Sequence, residues 1–175
     1  MTADVDVTVD LAQTSTLTLV DDLSRAGFDR WSDPWGSGSP FGALRPKPRI
    51  HLGDDFLREA RLLPLVHRPT CMPIDVVIAA SSLHTEFLER RRLIALGGLR
   101  VPMISPEDLV VTKVLAGRPK DLEDVRGVLL EQHDLDLERI RGLLGELEAA
   151  LGEDRLLRRL ERLIRKARTT VVRRQ

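Results

Sequence analysis

Polar and apolar residues alternate at the start of the chain, and this alternation predicts a β-strand. The segment Asp4–Asp10 reads Asp-Val-Asp-Val-Thr-Val-Asp. Because side chains of a strand point to opposite faces in turn, Asp4, Asp6 and Asp10 fall on one face and the valines on the other. The first predicted element is therefore a strand with an acidic face.

The next part of the chain mixes helical and extended patterns. Residues 11–28 carry apolar side chains at helical spacing and end near a glycine, which predicts an amphipathic helix. Residues 29–48 are rich in Pro and Gly and predict a long irregular loop. The apolar runs Arg61–His67 and Ile74–Ala80 predict two strands joined by a proline-limited turn. A short helix is predicted over Leu83–Arg92.

A second hairpin and a helical region complete the pattern. Leu93–Leu96 and Leu99–Ile104 flank Gly97-Gly98, a pair typical of a tight hairpin turn. Ser105-Pro-Glu-Asp108 then has the form of a helix N-terminal cap, and Gly117-Arg-Pro119 ends that helix. Three further helices are predicted at about 119–132, 135–151 and 153–168.

Strands followed by helices predict an α+β fold. We expect a mixed sheet with helices over residues 1–104 and a C-terminal helical bundle over 105–175. The length suits one domain, or one domain with a helical appendage.

Composition narrows the class of protein. The chain has 27 basic and 27 acidic residues and 42% hydrophobic residues, as expected of a globular protein. No apolar run reaches the roughly 18–20 residues of a membrane span, and the acidic N-terminus does not resemble a signal peptide. We therefore expect a cytoplasmic protein with no membrane partner. The single cysteine, Cys71, excludes an internal disulfide and a multi-cysteine metal site.

The first candidate for chemistry is the pair Asp4 and Asp6. Two carboxylates on one strand face repel each other unless they share solvent, a proton or a cation. Mg²⁺ prefers such oxygen ligands and often takes one or two carboxylates together with substrate phosphates. The pair is either a metal site or a solvated strand face.

Asp75 is the second candidate, because it interrupts the apolar strand Ile74–Ala80. An unpaired acid is costly in an apolar environment, so the residue either lies at a strand surface or has a partner. Beside Asp4 and Asp6 it completes a cluster of three carboxylates, which is enough to hold one or two metal ions.

The third candidate is a set of charges at the junction of the two helices after Ser105. Only four of the 27 basic residues are lysines, and Lys113 and Lys120 both lie in this region, followed by Asp121 and Asp124. A lysine near phosphates and an acid near a reacting hydroxyl suit phosphoryl transfer. Ordinary helix-terminal charges give the same pattern.

Together these motifs resemble the nucleotidyltransferase superfamily, and in particular its AbiEii/AbiGii toxin-like branch. The likeness spans roughly residues 2–130 and is most specific in the Ser-Pro-Glu-Asp-Leu segment at 105–109 and the Ala-Gly-Arg-Pro-Lys-Asp segment at 116–121. It implies that Asp4, Asp6 and Asp75 bind Mg²⁺ or Mn²⁺.

The resemblance also implies a substrate and further roles. Lys113 would contact a nucleoside triphosphate, Lys120 and Asp124 would also belong to the nucleotide-binding site, and Asp121 would join the catalytic acids. The implied activity transfers a nucleoside monophosphate to a hydroxyl of an RNA end, a protein or a small molecule. A toxin role implies a cognate antitoxin protein as partner.

One departure from the family affects the expected activity. Family members carry a Gly-Ser or Gly-Gly turn on a helix N-terminus before the acid pair, where it binds the triphosphate. This sequence begins at Met1, just before Asp4. We therefore expect a truncated N-terminus and weak or no catalysis. The alternative function is an inactive nucleotidyltransferase-fold binding module.

The last predicted helix has a strongly basic side. Residues 153–175 contain nine basic residues against three acids, while leucines line the opposite side. Such a face suits RNA phosphates or an acidic partner, although a solvated outer helix face has the same composition. The arginines expected to contact an RNA acceptor are Arg155, Arg158, Arg159 and Arg162.

Overall fold

The computed structural model describes residues 5–30 and 61–172. Asp4 and nearly all of the predicted loop at 29–48 lie outside these residues. The chain divides into two compact units, Met1–Glu89 and Arg90–Gln175. The second hairpin falls in the second of these units.

A mixed four-stranded sheet forms the first unit. Its strands are β1 (Val5–Val9), β2 (Phe28–Arg30), β3 (Leu62–His67) and β4 (Met72–Ile78), in the spatial order β1-β4-β3-β2. β3 pairs antiparallel with both β2 and β4, which confirms the predicted hairpin. β1 runs parallel to β4, a pairing between distant segments that the alternating pattern alone does not reveal.

Two helices accompany this sheet. α1 (Thr16–Arg25) begins at Ser15, whose hydroxyl accepts a hydrogen bond from the backbone N–H of Thr18. α2 (Ser82–Glu89) follows β4 and buries Phe87. Apolar side chains of α1 pack on one sheet face around three buried residues, Leu63, Leu65 and Val76.

The two faces of the sheet differ in character. Register partners in a sheet share a face, so the buried Leu63 and Val76 lie on the face that packs against α1. Asp6 and Asp75 occupy the alternate positions and lie on the opposite face. There the strand residues are exposed or half-buried.

The second unit begins with a hairpin and continues with helices only. β5 (Arg92–Leu96) and β6 (Leu99–Met103) are joined by Gly97 and Gly98, both with positive φ, as a tight two-residue turn requires. The helices are α3 (Pro106–Ala116), α4 (Pro119–Glu131), α5 (Leu137–Leu151) and α6 (Leu156–Val172).

The predicted cap and stop signals for α3 are confirmed. The Ser105 hydroxyl accepts a hydrogen bond from the backbone N–H of Asp108, with Pro106 at the first helical position. Gly117 ends α3 in the left-handed conformation, at a φ of 66°. The helices then pack on a core of aliphatic residues that includes Val110, Val111, Val114, Val125, Ile140, Leu144, Leu156 and Leu160.

The α+β fold with a C-terminal helical region is therefore confirmed. None of the helices in the described part of the chain is long and apolar enough to cross a membrane.

Candidate functional site

In the first unit, the structure places Asp6 and Asp75 side by side. They are register partners in the parallel pairing of β1 with β4. Neighbouring strands lie about 4.8 Å apart and register partners share a face, so the two carboxylates project from adjacent positions. Asp6 is exposed and Asp75 is half-buried. Two of the three predicted metal ligands thus meet, although they are far apart in sequence.

The chemistry of this acid pair suits a divalent cation. Like charges at directly opposed positions of a sheet are unfavourable, and a cation relieves the repulsion. Mg²⁺ and Mn²⁺ take carboxylate oxygens and commonly complete their coordination with water and phosphate. No cluster of three or more metal-binding side chains occurs in residues 5–30 and 61–172. Asp4, the third predicted ligand, lies outside those ranges.

In the second unit, a separate charge cluster joins the end of α3 to the start of α4. The Lys113 ammonium lies 2.6 Å from Asp124 Oδ2 and 3.5 Å from Asp121 Oδ1. Asp121 is buried, and the Arg118 guanidinium binds it from the residue before α4, with Nε 2.5 Å from Oδ2. The turn at Gly117 brings α4 back beside α3, and Asp121 and Asp124, three residues apart, face the same side of α4.

Charges shift the pKa values of this cluster in opposite directions. Burial alone lowers the pKa of Lys113, but the hydrogen bond and charge of Asp124, with those of Asp121, raise it above its ordinary value. The Arg118 hydrogen bond lowers the pKa of Asp121, although burial opposes it, and the charges of Arg118 and Lys113 lower it further. The cluster therefore holds its ionised state through mutual pairing.

The remaining residue of this group lies apart from the ion pairs. Lys120 is exposed on the first turn of α4. Three of the predicted residues, Lys113, Asp121 and Asp124, thus form one contact network in the second unit.

Two buried acids took a role that their sequence position did not indicate. Glu107 and Asp108 follow the cap residue Ser105, but their carboxylates form long-range ion pairs. Asp108 is fully buried and binds Arg139 of α5 at 3.3 Å, while Glu107 binds Arg92 of β5 at 3.2 Å. These acids hold β5 and α5 to the start of α3. An acid at a helix N-terminus is common, so only the burial reveals this role.

Three of the four arginines predicted to contact RNA have partners within the chain. Arg155 forms two hydrogen bonds with Glu153, and Arg158 pairs with Asp154. Arg159 donates to the backbone carbonyl of Val114 at the end of α3. Arg162 is exposed and forms no ion pair with the other described residues.

A mixed sheet with an acid pair at adjacent strand positions, followed by helices, defines an α+β protein. Comparison with known families gives the particular class. The model of the family described as "nucleotidyltransferase of unknown function (DUF6036)" matches residues 1–171, so the chain belongs to that family. Among curated proteins, none matches the sequence.

Proposed function

We propose that the protein is a metal-dependent nucleotidyltransferase that moves a nucleoside monophosphate from a nucleoside triphosphate to an acceptor hydroxyl. The observation that carries this proposal is the direct register of Asp6 with Asp75, on the sheet face opposite the buried Leu63 and Val76. Membership of a nucleotidyltransferase family supports it. Asp4, two residues before Asp6 on the same predicted face, is the third proposed ligand.

In this proposal the acid pair positions the reacting phosphate. Asp6 and Asp75 hold Mg²⁺ or Mn²⁺, which supplies charge stabilisation for the phosphates when it is bound. The acceptor oxygen forms a bond to the α-phosphorus, the bond to the bridging oxygen breaks, and pyrophosphate leaves. Asp75, the half-buried member of the pair, receives the proton of the attacking hydroxyl.

The experiment is transfer of label from each α-labelled nucleoside triphosphate, with and without Mg²⁺, by the wild type and by Asp6→Asn and Asp75→Asn. Each change keeps the side-chain shape but removes a charge, so we expect transfer to fall at least about a hundredfold. Asp22→Asn is the control, because it removes an exposed acid whose ion pair with Arg25 lies on α1. Full transfer by the Asp6→Asn, Asp75→Asn double variant would refute the proposed metal site.

A second candidate function is a nucleotide-binding module without transfer activity. Its supporting observation is that the Lys113 ammonium, predicted to contact the triphosphate, is already bound by Asp124 and Asp121. Calorimetric titration with the four nucleoside triphosphates separates the candidates. Metal-dependent binding without label transfer favours the module, and binding with transfer favours the enzyme.

The toxin role is proposed from the resemblance to the AbiEii/AbiGii branch. If the protein is a toxin, its induction slows cell growth and Asp6→Asn abolishes the effect. Growth arrest by the Asp6→Asn variant would separate toxicity from nucleotide transfer.

A further inference from the structure

Arg159 of α6 differs from the other arginines predicted to contact RNA in the place of its side chain. Arg155, Arg158 and Arg162 are exposed, whereas Arg159 is half-buried. Its guanidinium donates a hydrogen bond to the backbone carbonyl of Val114, in the last turn of α3. The two residues are 45 positions apart, so this bond links the last helix of the second unit to the end of the first one.

The bond supplies a partner where a helix lacks one. The last four carbonyls of a helix have no partner within it and form the negative end of its dipole. In α3 the backbone N–H of Gly117 binds the carbonyl of Lys113, and Arg159 binds the next carbonyl, that of Val114. A guanidinium gives this end both a donor and a favourable charge. Arg159 is therefore a side-chain cap of α3.

The turn after α3 is shaped to admit this guanidinium. Gly117 adopts a φ of 66°, and a Cβ built on it would lie 2.2 Å from Nη1 and 2.6 Å from Cζ of Arg159. The space that a side chain at position 117 would fill is thus occupied by Arg159. The left-handed turn and the cap depend on each other.

The same turn sets the position of the Lys113 ammonium. α4 returns beside α3 through this turn, and its residues Asp121 and Asp124 lie 3.5 Å and 2.6 Å from the ammonium. A lysine side chain is long and flexible, so its charged end is fixed by the partners that it meets. A group that fixes the turn therefore also fixes those partners around Lys113.

We propose that Arg159 is a positioning residue: by capping α3 beside Gly117, it fixes the turn that holds the Lys113 ammonium between Asp121 and Asp124. Contact of Lys113 with a nucleoside triphosphate rests on the proposed function, whereas the position of its ammonium does not. Arg159 thus acts through Lys113 and does not itself bind a nucleic acid.

Loss of Arg159 has two consequences of opposite sign. If the guanidinium acts only as a nearby positive charge, its loss makes Lys113 harder to deprotonate. If it fixes the turn, its loss moves Asp121 and Asp124 away from the ammonium. Burial lowers the pKa of Lys113, and the contacts with Asp124 and Asp121 raise it above its ordinary value, so this movement makes Lys113 easier to deprotonate.

The test is competitive acylation of the full chain by trace acetic anhydride, which reacts with the deprotonated amine and is read by mass spectrometry. The exposed Lys120 is the internal reference. In Arg159→Met we expect the Lys113/Lys120 labelling ratio to rise about threefold or more, since one pKa unit is a tenfold change in free amine. Arg159→Lys keeps a donor and a charge and should restore most of the protection. Gly117→Ala, which crowds the guanidinium, should raise the ratio as Arg159→Met does. An unchanged or lower ratio in Arg159→Met would overturn the proposal.

Two control variants separate this effect from general loosening of the unit. Arg168→Met makes the same chemical change at an exposed position of α6. Ile140→Val weakens the packing of a buried side chain of α5 without changing the turn. Both should leave the labelling ratio as in the wild type. A rise in either control equal to that in Arg159→Met would also refute the positioning role.

Kinetics connect the position of Lys113 to the proposed function. In Arg159→Met we expect the KM for the triphosphate to rise about threefold or more, with recovery in Arg159→Lys. A wild type that neither binds nor transfers nucleotides refutes the proposed function, and the labelling ratio still decides the positioning role. An unchanged KM beside a raised labelling ratio would overturn the connection between Lys113 and the triphosphate.

Discussion

The acids of the two units have neighbours of opposite charge. In the first unit, Asp6 and Asp75 lie at opposed positions of adjacent parallel strands, so an acid faces an acid. In the second unit, Asp121 lies between Arg118 and Lys113, so an acid faces bases. The first arrangement is the one for which we propose a bound cation, whereas in the second the carboxylate is bound by basic side chains of the same unit.

This difference separates a candidate site from structural ion pairs. Two acids at register positions of adjacent strands are a reason to look for a cation, because like charges lie close together there. Acids matched by bases also shift pKa values, yet they are explained by the stability of the fold. The pKa shifts of Lys113 and Asp121 are therefore explained as well by a structural contact between α3 and α4 as by a binding site.

The largest expected effect on stability appears when a substitution of Asp121 is compared with one of Asp6. Asp121→Asn leaves Arg118 and Lys113 without their shared carboxylate and should lower the free energy of unfolding by about 2 kcal/mol. Asp6→Asn changes an exposed side chain and should alter the free energy of unfolding by no more than about 0.5 kcal/mol. Urea unfolding followed by circular dichroism measures both. A greater loss for Asp6→Asn than for Asp121→Asn would reverse the comparison.

The pH dependence of the Asp121 contribution has a definite sign. Because the folded pKa of Asp121 is lowered, the folded state binds fewer protons at this group than the unfolded state. Its stabilisation is therefore complete above the ordinary aspartate pKa of about 3.9 and is lost as the pH falls through the lower folded value. The difference between wild type and Asp121→Asn should be constant from neutral pH to about pH 5 and shrink in stronger acid.

The turn at Gly117 brings α4 back beside α3, and it is the subject of the next prediction. Gly117 has a φ of 66°, and an added Cβ would lie 2.2 Å from an Arg159 guanidinium nitrogen. Gly117→Ala should cost about 1–2 kcal/mol, of which about 1 comes from the left-handed backbone and the rest from displacing Arg159.

Gly152→Ala measures the backbone contribution to this loss of stability by itself. Gly152 ends α5 at a φ of 65°, and among the described residues no atom lies within 4 Å of its added Cβ. We expect it to cost about 1 kcal/mol, and Arg159→Ala to reduce the excess cost at Gly117. Equal costs at both glycines would show that Arg159 yields without penalty. Thermal unfolding of the single and double variants measures these terms.

Local signals predicted most of the described elements. The period-two alternation found β1, the Gly97-Gly98 pair found the β5–β6 hairpin, and Ser105 located the start of α3. Each of these signals lies within a few residues, so a single short segment of sequence is enough to predict the element. The short strand β2 was missed, because three residues carry no periodicity and its pairing with β3 is long-range.

The candidate site was predictable in its residue types but not in its geometry. The isolated Asp75 in an apolar strand was a visible anomaly, but its register with Asp6 depends on a parallel pairing between distant strands. The partners of Lys113 could not be read from spacing alone, since helix-terminal charges are common. Likewise, the ion pairs of Glu107 and Asp108 join residues that only the packed helices bring together.

The smallest expected effect on stability comes from substitutions on the exposed side of α6. The same substitutions test whether this side binds the proposed RNA acceptor. Arg162 and Arg165 are exposed and form no ion pair within the described part of the chain, while Arg155 and Arg158 pair with nearby acids. Their joint change to Glu should alter the free energy of unfolding by no more than about 0.5 kcal/mol.

The same double variant can be tested more sharply by measuring how its affinity for RNA depends on salt concentration. If single-stranded RNA lies on α6, losing two phosphate contacts reduces the slope of log affinity against log salt by about 1.4. Arg155→Gln with Arg158→Gln is the comparison variant, and it should reduce the slope less because Glu153 and Asp154 already neutralise those arginines. Fluorescence anisotropy of a labelled oligonucleotide at several salt concentrations measures both slopes. Equal slopes for wild type and the Arg162, Arg165 variant would exclude this face as the RNA contact, and the basic side of α6 would then be a solvated outer surface.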